Sequence, residues 1–298
     1  MSWYTSLNIA VKVLLCISIP FLLKHLPHRF KIPPSLVTLP FNLEWESPPL
    51  STQENEKICA ILKSPFTYLS HGNQSYVFES EDGEYVLKLF RYRLIRSPLA
   101  QAVKNKVDAL LYKKAKDSFS EKVNKTFKAA RLAFVEARSY TQVVFCHLNI
   151  TEGLLPVTHF KTAFRSFALP MDRYRFVIQR KVVPFKEAML LCKDDPQKMI
   201  SQIDSLFLLL LSRSALGIRN SDPTLAPNFG FYQGRAVEMD FGNYRKIPLD
   251  PNRQWAEIDS FLIRLKDWLT KNAPEYAAVI DEKRLLAKTS FSKTNSLD

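Results

Sequence analysis

The chain has 298 residues, of which 46% are hydrophobic and 12% aromatic, and its formal net charge is +13. This composition excludes a disordered chain, and the length suffices for one large domain or for two lobes with separate cores. The four cysteines (Cys16, Cys59, Cys146 and Cys192) are too far apart for a metal-binding motif and too few for a disulfide scaffold, so reduced thiols in a cytosolic environment are expected.

The positive charge is concentrated in two segments. Residues 1–43 contain four basic and no acidic side chains, and residues 91–131 contain twelve basic against three acidic ones. Segments of this kind suit an anionic membrane surface, a phosphorylated substrate or nucleic acid. For residues 91–131, an ordinary solvated helical face is the alternative.

The N-terminus contains the one membrane candidate in the sequence. The apolar run VLLCISIPFLL (13–23) is followed by Lys24, Arg29 and Lys31, so residues 1–31 read as an anchor that leaves the bulk of the chain on the cytoplasmic side. An interfacial segment and a cleaved signal peptide are the alternatives, although no small-residue cleavage site follows the run. Residues 32–65 are rich in proline and predict an extended linker.

The next elements are strand-like. QSYVFES (74–80) and EYVLKLF (84–90) predict a hairpin with Asp82-Gly83 at its turn. Residues 99–142 predict helix, and residues 154–164 and 174–183 predict a second strand pair.

The second half is mainly helical. Residues 196–216 show helical spacing and end at Gly217, residues 228–242 predict a hairpin turning at Gln233-Gly234, and two helices follow near 255–270 and 274–288. The predicted fold class is therefore α+β in two lobes, with a sheet-rich lobe at 66–184, which contains a basic helical insertion at 91–131, and a helical lobe at 185–298.

Four polar side chains stand where the pattern predicts chemistry. Lys88 lies inside an apolar strand, where an amine needs water or an anionic partner. Asp222, Asn228 and Asp240 follow the long helix in order, and Asp240 opens the tripeptide Asp-Phe-Gly directly after a strand. Each of these three alone is an ordinary turn or cap residue, but together they offer a base, a neutral metal ligand and an anionic metal ligand.

Over residues 66–245 the sequence resembles the protein-kinase-like superfamily. Lys88 in YVLK takes the place of the family's strand lysine, which binds the α- and β-phosphates of the nucleotide. SHGNQSYV (70–77) matches the family's glycine-rich loop at Gly72 and Val77, while Ser70 and Ser75 replace the outer glycines. The resemblance assigns Glu136 as the helix acid that pairs with Lys88, with a helix-surface ion pair to Arg131 or Arg138 as the alternative.

The sequence also departs from the family. Asn220-Ser221-Asp222 replaces His-Arg-Asp, so the histidine and arginine that brace the catalytic loop are missing. Five residues separate Asp222 from Asn228 where the family has four, and only 56 residues follow Gly242. The short C-terminal part resembles compact kinase-like enzymes, which include bacterial small-molecule and lipopolysaccharide-core sugar kinases.

The resemblance implies an enzyme that transfers phosphate from ATP to a hydroxyl group with Mg²⁺. Lys88 and the loop residues Gly72, Ser75 and Val77 would bind the nucleotide, Asn228 and Asp240 the metal, and Asp222 the acceptor hydroxyl. The charge pattern favours an anionic or membrane-associated acceptor, such as a glycolipid sugar, over a soluble metabolite, and a protein serine or threonine is the alternative acceptor. One alternative is an inactive kinase-like binding module. The other is a nucleic-acid-binding protein, which is less favoured because residues 91–131 lack interleaved aromatics suited to base stacking.

Overall fold

Most strands of the first half belong to one sheet. The computed structural model describes residues 39–91, 119–222 and 224–294, and within these ranges seven strands pair in the order β4-β7-β3-β2-β1-β5-β6. These strands are β1 (Phe66–His71), β2 (Ser75–Ser80), β3 (Tyr85–Phe90), β4 (Val143–His147), β5 (Val157–Lys161), β6 (Ser166–Pro170) and β7 (Phe176–Arg180).

The predicted β2–β3 hairpin is confirmed. The two strands pair antiparallel, and Gly83 in the turn has φ +72°, a conformation that glycine adopts without steric cost. β3 lies inside the sheet between β2 and β7, and all its residues except Lys88 are buried. The apolar run around Lys88 thus makes β3 an interior strand.

The second predicted strand pair is wrong in its pairing. β5 and β7 exist, but β7 pairs with β3 and β4, whereas β5 pairs with β1 and β6. The antiparallel partner of β5 is β6, which has the sequence SFALP. The terminal proline of β6 weakens the strand pattern in its sequence. Thr162 and Arg165 close the turn between them, with the Thr162 amide donating to the Arg165 carbonyl at 2.9 Å.

The extended linker predicted for residues 32–65 is wrong over residues 52–63. These residues form a helix, α1 (Thr52–Lys63), and Ser51 is its N-cap. Ser51 and Glu54 form a reciprocal capping box, in which each side chain accepts from the backbone amide of the other. The capping signal outweighs the prolines that flank this segment on either side.

The basic segment is not a simple insertion. Residues from 119 onward form α2 (Phe119–Val135), followed by the short α3 (Arg138–Thr141). One face of α2 is buried with Phe90 of β3 and Val177 of β7, through Val123, Phe127 and Ala130. An amphipathic helix of this kind is part of the core, so the insertion prediction is corrected for residues 119–131. Residues 92–118 lie outside the described residues.

The second half is helical around a separate apolar core. Its helices are α4 (Phe185–Leu191), α5 (Pro196–Ala215), α6 (Leu225–Asn228), α7 (Pro251–Asn272) and α8 (Ala277–Thr294), and its short strands are β8 (Val183–Pro184), β9 (Ile218–Asn220), β10 (Phe229–Tyr232), β11 (Arg235–Glu238) and β12 (Tyr244–Lys246). Buried side chains of α4, α5, β10 and α7 form this core. The predicted long helix, hairpin and C-terminal helices are all present, and Gly217 ends α5 with φ +65°. The chain is therefore α+β, with a sheet-rich part and a mainly helical part.

The predicted membrane segment, residues 1–31, lies outside the described residues. Within the ranges that the structure describes, no helix is both long and apolar enough to cross a membrane. All the described residues belong to one compact unit.

Candidate active site

A cavity of about 950 Å³ is lined by both parts of the fold. Its walls come from the β1–β2 loop and β3 on the sheet side, and from residues that follow β9 and β11 on the helical side. The predicted site residues that line it are Gly72, Ser75, Val77, Lys88, Asp222, Asn228 and Asp240. Glu136 is the one predicted site residue that lies elsewhere.

Lys88 reaches this cavity from the middle of the sheet. The residues directly opposite it on β2 and β7 are Val77 and Val177, so its cross-strand neighbours carry no charge. Its Nζ donates to the Met239 carbonyl oxygen at 2.5 Å and lies 4.9 Å from the centroid of the Phe241 ring. Burial lowers the pKa of Lys88 to about 8, against the opposing attraction of the Asp240 carboxylate. Lys88 is thus mostly protonated at neutral pH, but by a small margin.

The predicted pair between Lys88 and Glu136 is not formed. Glu136 follows the last turn of α2 and makes an exposed ion pair with Lys246 instead. The α2 residues that line the cavity are Thr126 and Ala130, one helical turn apart. Each residue turns the helix by about 100°, which directs position 136 away from the side of Ala130. The helix next to Lys88 therefore presents small side chains to the cavity where the resemblance implied an acid.

The three predicted polar residues of the helical part are joined by hydrogen bonds. The Asn228 side-chain amide donates to the Asp222 carbonyl at 3.1 Å, and the Asn228 carbonyl accepts from the Met239 amide at 2.6 Å. The Asp240 carboxylate is exposed and accepts from the Gly242 amide at 3.0 Å. Asp222, Asn228 and Asp240 are thus brought together with Lys88 on one cavity.

The carboxylate of Asp222 is stabilised in its charged form. The Thr224 hydroxyl donates to it at 2.7 Å and the Thr224 amide at 3.2 Å. The hydroxyl bond is the main reason that the pKa of Asp222 is lowered from its ordinary value. A carboxylate held in this way is suited to accept a hydrogen bond from a substrate and is a weak proton acceptor.

Asp240 and Asn228 could hold a metal ion between them. The Asn228 Nδ2 already donates to Asp222, which leaves the amide oxygen as the ligand atom. A carboxylate and a neutral oxygen match the oxygen preference of Mg²⁺, which keeps several waters and takes the remaining ligands from phosphate. Within the described part of the chain, no cluster of three or more His, Cys, Asp or Glu side chains could hold a metal on its own.

Arg91 and Gln74 hold the loop over the cavity. Arg91 holds it at two points, because its guanidinium donates to the Gly72 carbonyl at 2.6 Å and its backbone amide to the Gln74 carbonyl at 2.7 Å. The Gln74 side chain packs against Gly242, since a β-carbon built on Gly242 would lie 2.1 Å from the Gln74 Oε1. Gln74 thus bridges the loop and the turn after Asp240, a contact that the sequence analysis missed.

A buried ion-pair network beneath the cavity was also missed. Arg213 of α5 donates through Nη1 to both carboxylate oxygens of Glu238, at 2.8 and 2.9 Å, and through Nη2 to Glu257 at 2.5 Å. The Tyr244 hydroxyl donates to Glu238 at 2.6 Å. Burial works against the charge of Arg213, but these acidic partners outweigh it and raise its pKa. Arg213 and Glu238 are both nearly inaccessible to solvent.

Asn220 connects this network to the site residues. Its Nδ2 donates to Glu238 at 2.6 Å and to the Asp240 carbonyl at 3.2 Å, while its Oδ1 accepts from the Asp222 amide at 2.9 Å. One asparagine thereby holds both aspartates in fixed positions. It stands where the resemblance places the bracing histidine, and its amide gives the loop a different brace.

Comparisons with known proteins do not assign the chain to a family. No protein-family model matches it, and no curated protein matches it. Among solved structures, 26 chains match. One of them is Rv3197 from Mycobacterium tuberculosis in complex with erythromycin, which has 17% sequence identity to this chain and a TM-score of 0.36. The match covers 67% of this chain and 54% of that one, so this chain corresponds to about half the length of Rv3197. A TM-score this low carries no conclusion about fold or function.

The buried ion pair leads to a stability prediction. Replacing Arg213 with Met leaves Glu238 buried without its cation, which typically costs about 3–5 kcal/mol. We expect Arg213→Met to lower the free energy of unfolding by that amount, measured by urea denaturation with circular dichroism.

Arg219→Met is the matched control. Arg219 is exposed and lies 3.9 Å from the same Glu257, so its replacement should change the stability by no more than about 0.5 kcal/mol. Equal effects of the two substitutions would contradict the role given to the buried network.

Proposed function

We propose that this protein binds a nucleoside triphosphate with Mg²⁺ in the cavity beside Lys88 and transfers a phosphoryl group to a hydroxyl acceptor. The observation that carries the proposal is the convergence of Lys88, Asp222, Asn228 and Asp240 on one cavity, although 152 positions separate the first from the last. The order of elements, a lysine-bearing sheet followed by a helical part with Asp, Asn and Asp, supports a kinase-like fold.

The proposed roles follow from the contacts of each side chain. Lys88 supplies positive charge to the phosphates, and its position in the sheet fixes that charge before the ligand arrives. Asp240 and Asn228 hold Mg²⁺, which neutralises charge on the transferring phosphate. Asp222 orients the acceptor hydroxyl; its lowered pKa favours orientation over proton removal, which suits a reaction that needs little help from a base.

The chemical class of the hydroxyl acceptor is proposed from the charge of the chain. The basic segments favour an anionic or membrane-associated acceptor, with a glycolipid sugar and a protein hydroxyl as the two kinds considered. Attachment to a membrane through residues 1–31, with the bulk of the chain on the cytoplasmic side, is part of the same proposal.

The first test removes the proposed anionic metal ligand. Asp240→Ala should reduce Mg²⁺-dependent hydrolysis of ATP, with water as the acceptor, by about 100-fold or more, because the charge on the transferring phosphate is no longer neutralised. Asp240 is exposed, so circular dichroism and the melting temperature should stay close to those of the unmodified protein. Asp267→Ala, at an exposed position on α7, is the control and should hydrolyse ATP normally. Normal hydrolysis by Asp240→Ala would refute the assignment.

The second test uses the lowered pKa of Lys88. The protonated amine of Lys88 attracts phosphate. Because its pKa is about 8, the amine loses its proton and its positive charge as the pH rises past this value. The affinity for MgATP should therefore fall about tenfold between roughly pH 7 and pH 9, as measured by calorimetry. Lys88→Arg stays charged throughout this range and should show a nearly flat profile. A decline of the same steepness in both proteins would show that Lys88 is not the titrating group.

A second candidate function, nucleotide binding without transfer, is favoured by the contact between Gln74 and Gly242. The side chain of Gln74 lies on the turn after Asp240, inside the cavity that the phosphates would enter. A protein of this kind would gain stability from MgATP, by about 2.7 kcal/mol at a hundred times the Kd, and would not consume it.

Gln74→Ala tests how far this contact limits the site. Removing the side chain opens the cavity, so the Kd for MgATP should decrease several-fold. Asn73→Ala, at an exposed neighbouring position that also lines the cavity, should leave the Kd unchanged. If hydrolysis appears only in Gln74→Ala, the unmodified protein is a binding module; if both proteins hydrolyse ATP, it is an enzyme.

A further inference from the structure

A second concave surface lies on the other side of α2. A groove of about 610 Å³ runs between α2 and β12, and we call it the α2–β12 groove. Its basic side chains are Lys125, Lys128 and Arg131 of α2 and Arg245 and Lys246 of β12. A smaller cavity of about 170 Å³ continues it past Lys122 toward the turn at Gly242 and Asn243.

Two ion pairs lie in this groove. Lys128 pairs with Glu44 at 2.7 Å, and Lys246 pairs with Glu136. Among the described residues that line the groove and its extension, two are acidic and six are basic, so their formal charges sum to +4. A bound anion carrying more than one charge would offset this excess.

The α2 side of the groove is a row of basic residues whose mutual repulsion destabilises the helix. Basic residues recur every third position at 122, 125, 128 and 131, while the opposite face is buried in the core. Like charges three or four residues apart destabilise a helix by about 0.2–0.5 kcal/mol per pair. β12 packs on α2 and adds two further cations across the groove. This concentration of charge is unfavourable for the free protein and favourable for an anionic ligand.

The lining distinguishes between anions. Arg131 and Arg245 present guanidinium groups, which suit the oxygens of phosphate, while the lysines act as point charges. Tyr244, the aromatic residue of the groove, is buried and bound to Glu238, so it offers no exposed ring for base stacking. These features favour a compact ligand with several phosphates over a nucleic acid strand.

We propose that the α2–β12 groove binds a ligand bearing two or more phosphate groups. The groove shares no described lining residue with the Lys88 cavity, and only its smaller extension borders that cavity, at Gln74, Thr126, Gly242 and Asn243. The shared chemistry is the polyphosphorylated group itself, whether it belongs to a lipid headgroup or to a soluble compound. The proposal does not depend on nucleotide binding beside Lys88.

The test measures binding of two probes to the full chain. Inositol hexakisphosphate is titrated by calorimetry, and vesicles of phosphatidylcholine with and without phosphatidylinositol 4-phosphate are tested by co-sedimentation. The variant Lys125→Glu/Arg245→Glu reverses two exposed groove charges and should lose at least tenfold in affinity for the probe that binds. Lys125→Gln/Arg245→Gln removes the charges without reversing them and should show an intermediate loss.

Two controls separate this site from other effects. Lys57→Glu/Lys161→Glu makes the same change in net charge at exposed positions outside the groove and should bind within about twofold of the unmodified protein. Lys88→Met should lose MgATP and keep the groove ligand, so failure of the nucleotide proposal and failure of this one are distinguishable.

Each outcome decides the proposal. Groove-dependent binding of the soluble probe alone identifies a free polyphosphorylated compound, and groove-dependent binding of the vesicles identifies a lipid headgroup. The proposal is overturned if neither probe binds, if the groove variants bind as well as the unmodified protein, or if Lys57→Glu/Lys161→Glu loses as much affinity as they do.

Discussion

The candidate site depends on one buried ion pair, between Arg213 and Glu238. A buried charged pair is tolerated when further hydrogen bonds support it. Here Tyr244 and Asn220 donate to Glu238, and Arg213 also binds Glu257, while the Arg213 Nε has no hydrogen-bond partner among the described residues. The pair joins the end of α5 to β11, and Asn220 extends it to the backbone of both aspartates. The positions of the two aspartates therefore follow from a charge that lies outside the cavity itself.

The buried ion pair also explains why the two aspartates and Lys88 differ in their surroundings. Asp240 is exposed and Asp222 is partly so, because their backbones are held from below and their side chains need no burial. Lys88 is fixed in the opposite way, by a strand buried on both sides, and burial lowers its pKa. Mobile carboxylates and a fixed amine would give a poorly ordered site, whereas here both are fixed by interior contacts.

Local patterns predicted much of the fold, and long-range pairing was what they missed. The β2–β3 hairpin, α5 with Gly217, and the turn at Gln233-Gly234 were correct because turn chemistry and periodicity are local. The pairing of β7 with β3 is long-range: β3 ends at Phe90, 86 positions before β7 begins at Phe176. No pattern within either strand specifies that pairing. Lys88, Asp222, Asn228 and Asp240, which line one cavity, were singled out by residue type and order. Asn220, Glu238 and Arg213 were missed because they act through tertiary contacts. Glu136 was misplaced because its side of α2 depends on the rotation of that helix.

The departures from the kinase pattern do not all weaken the proposed reaction equally. An acid on the helix would position and charge-balance the lysine, but β3 and the Met239 carbonyl already position Lys88, and Asp240 balances its charge. The missing histidine is likewise offset, since Asn220 braces both aspartates. Nothing comparable offsets Gln74, whose side chain packs on Gly242 in the cavity that the phosphates of the proposed nucleotide would enter. The balance between transfer and simple binding therefore rests on the loop at residues 72–75, and the acid and histidine that the chain lacks matter less.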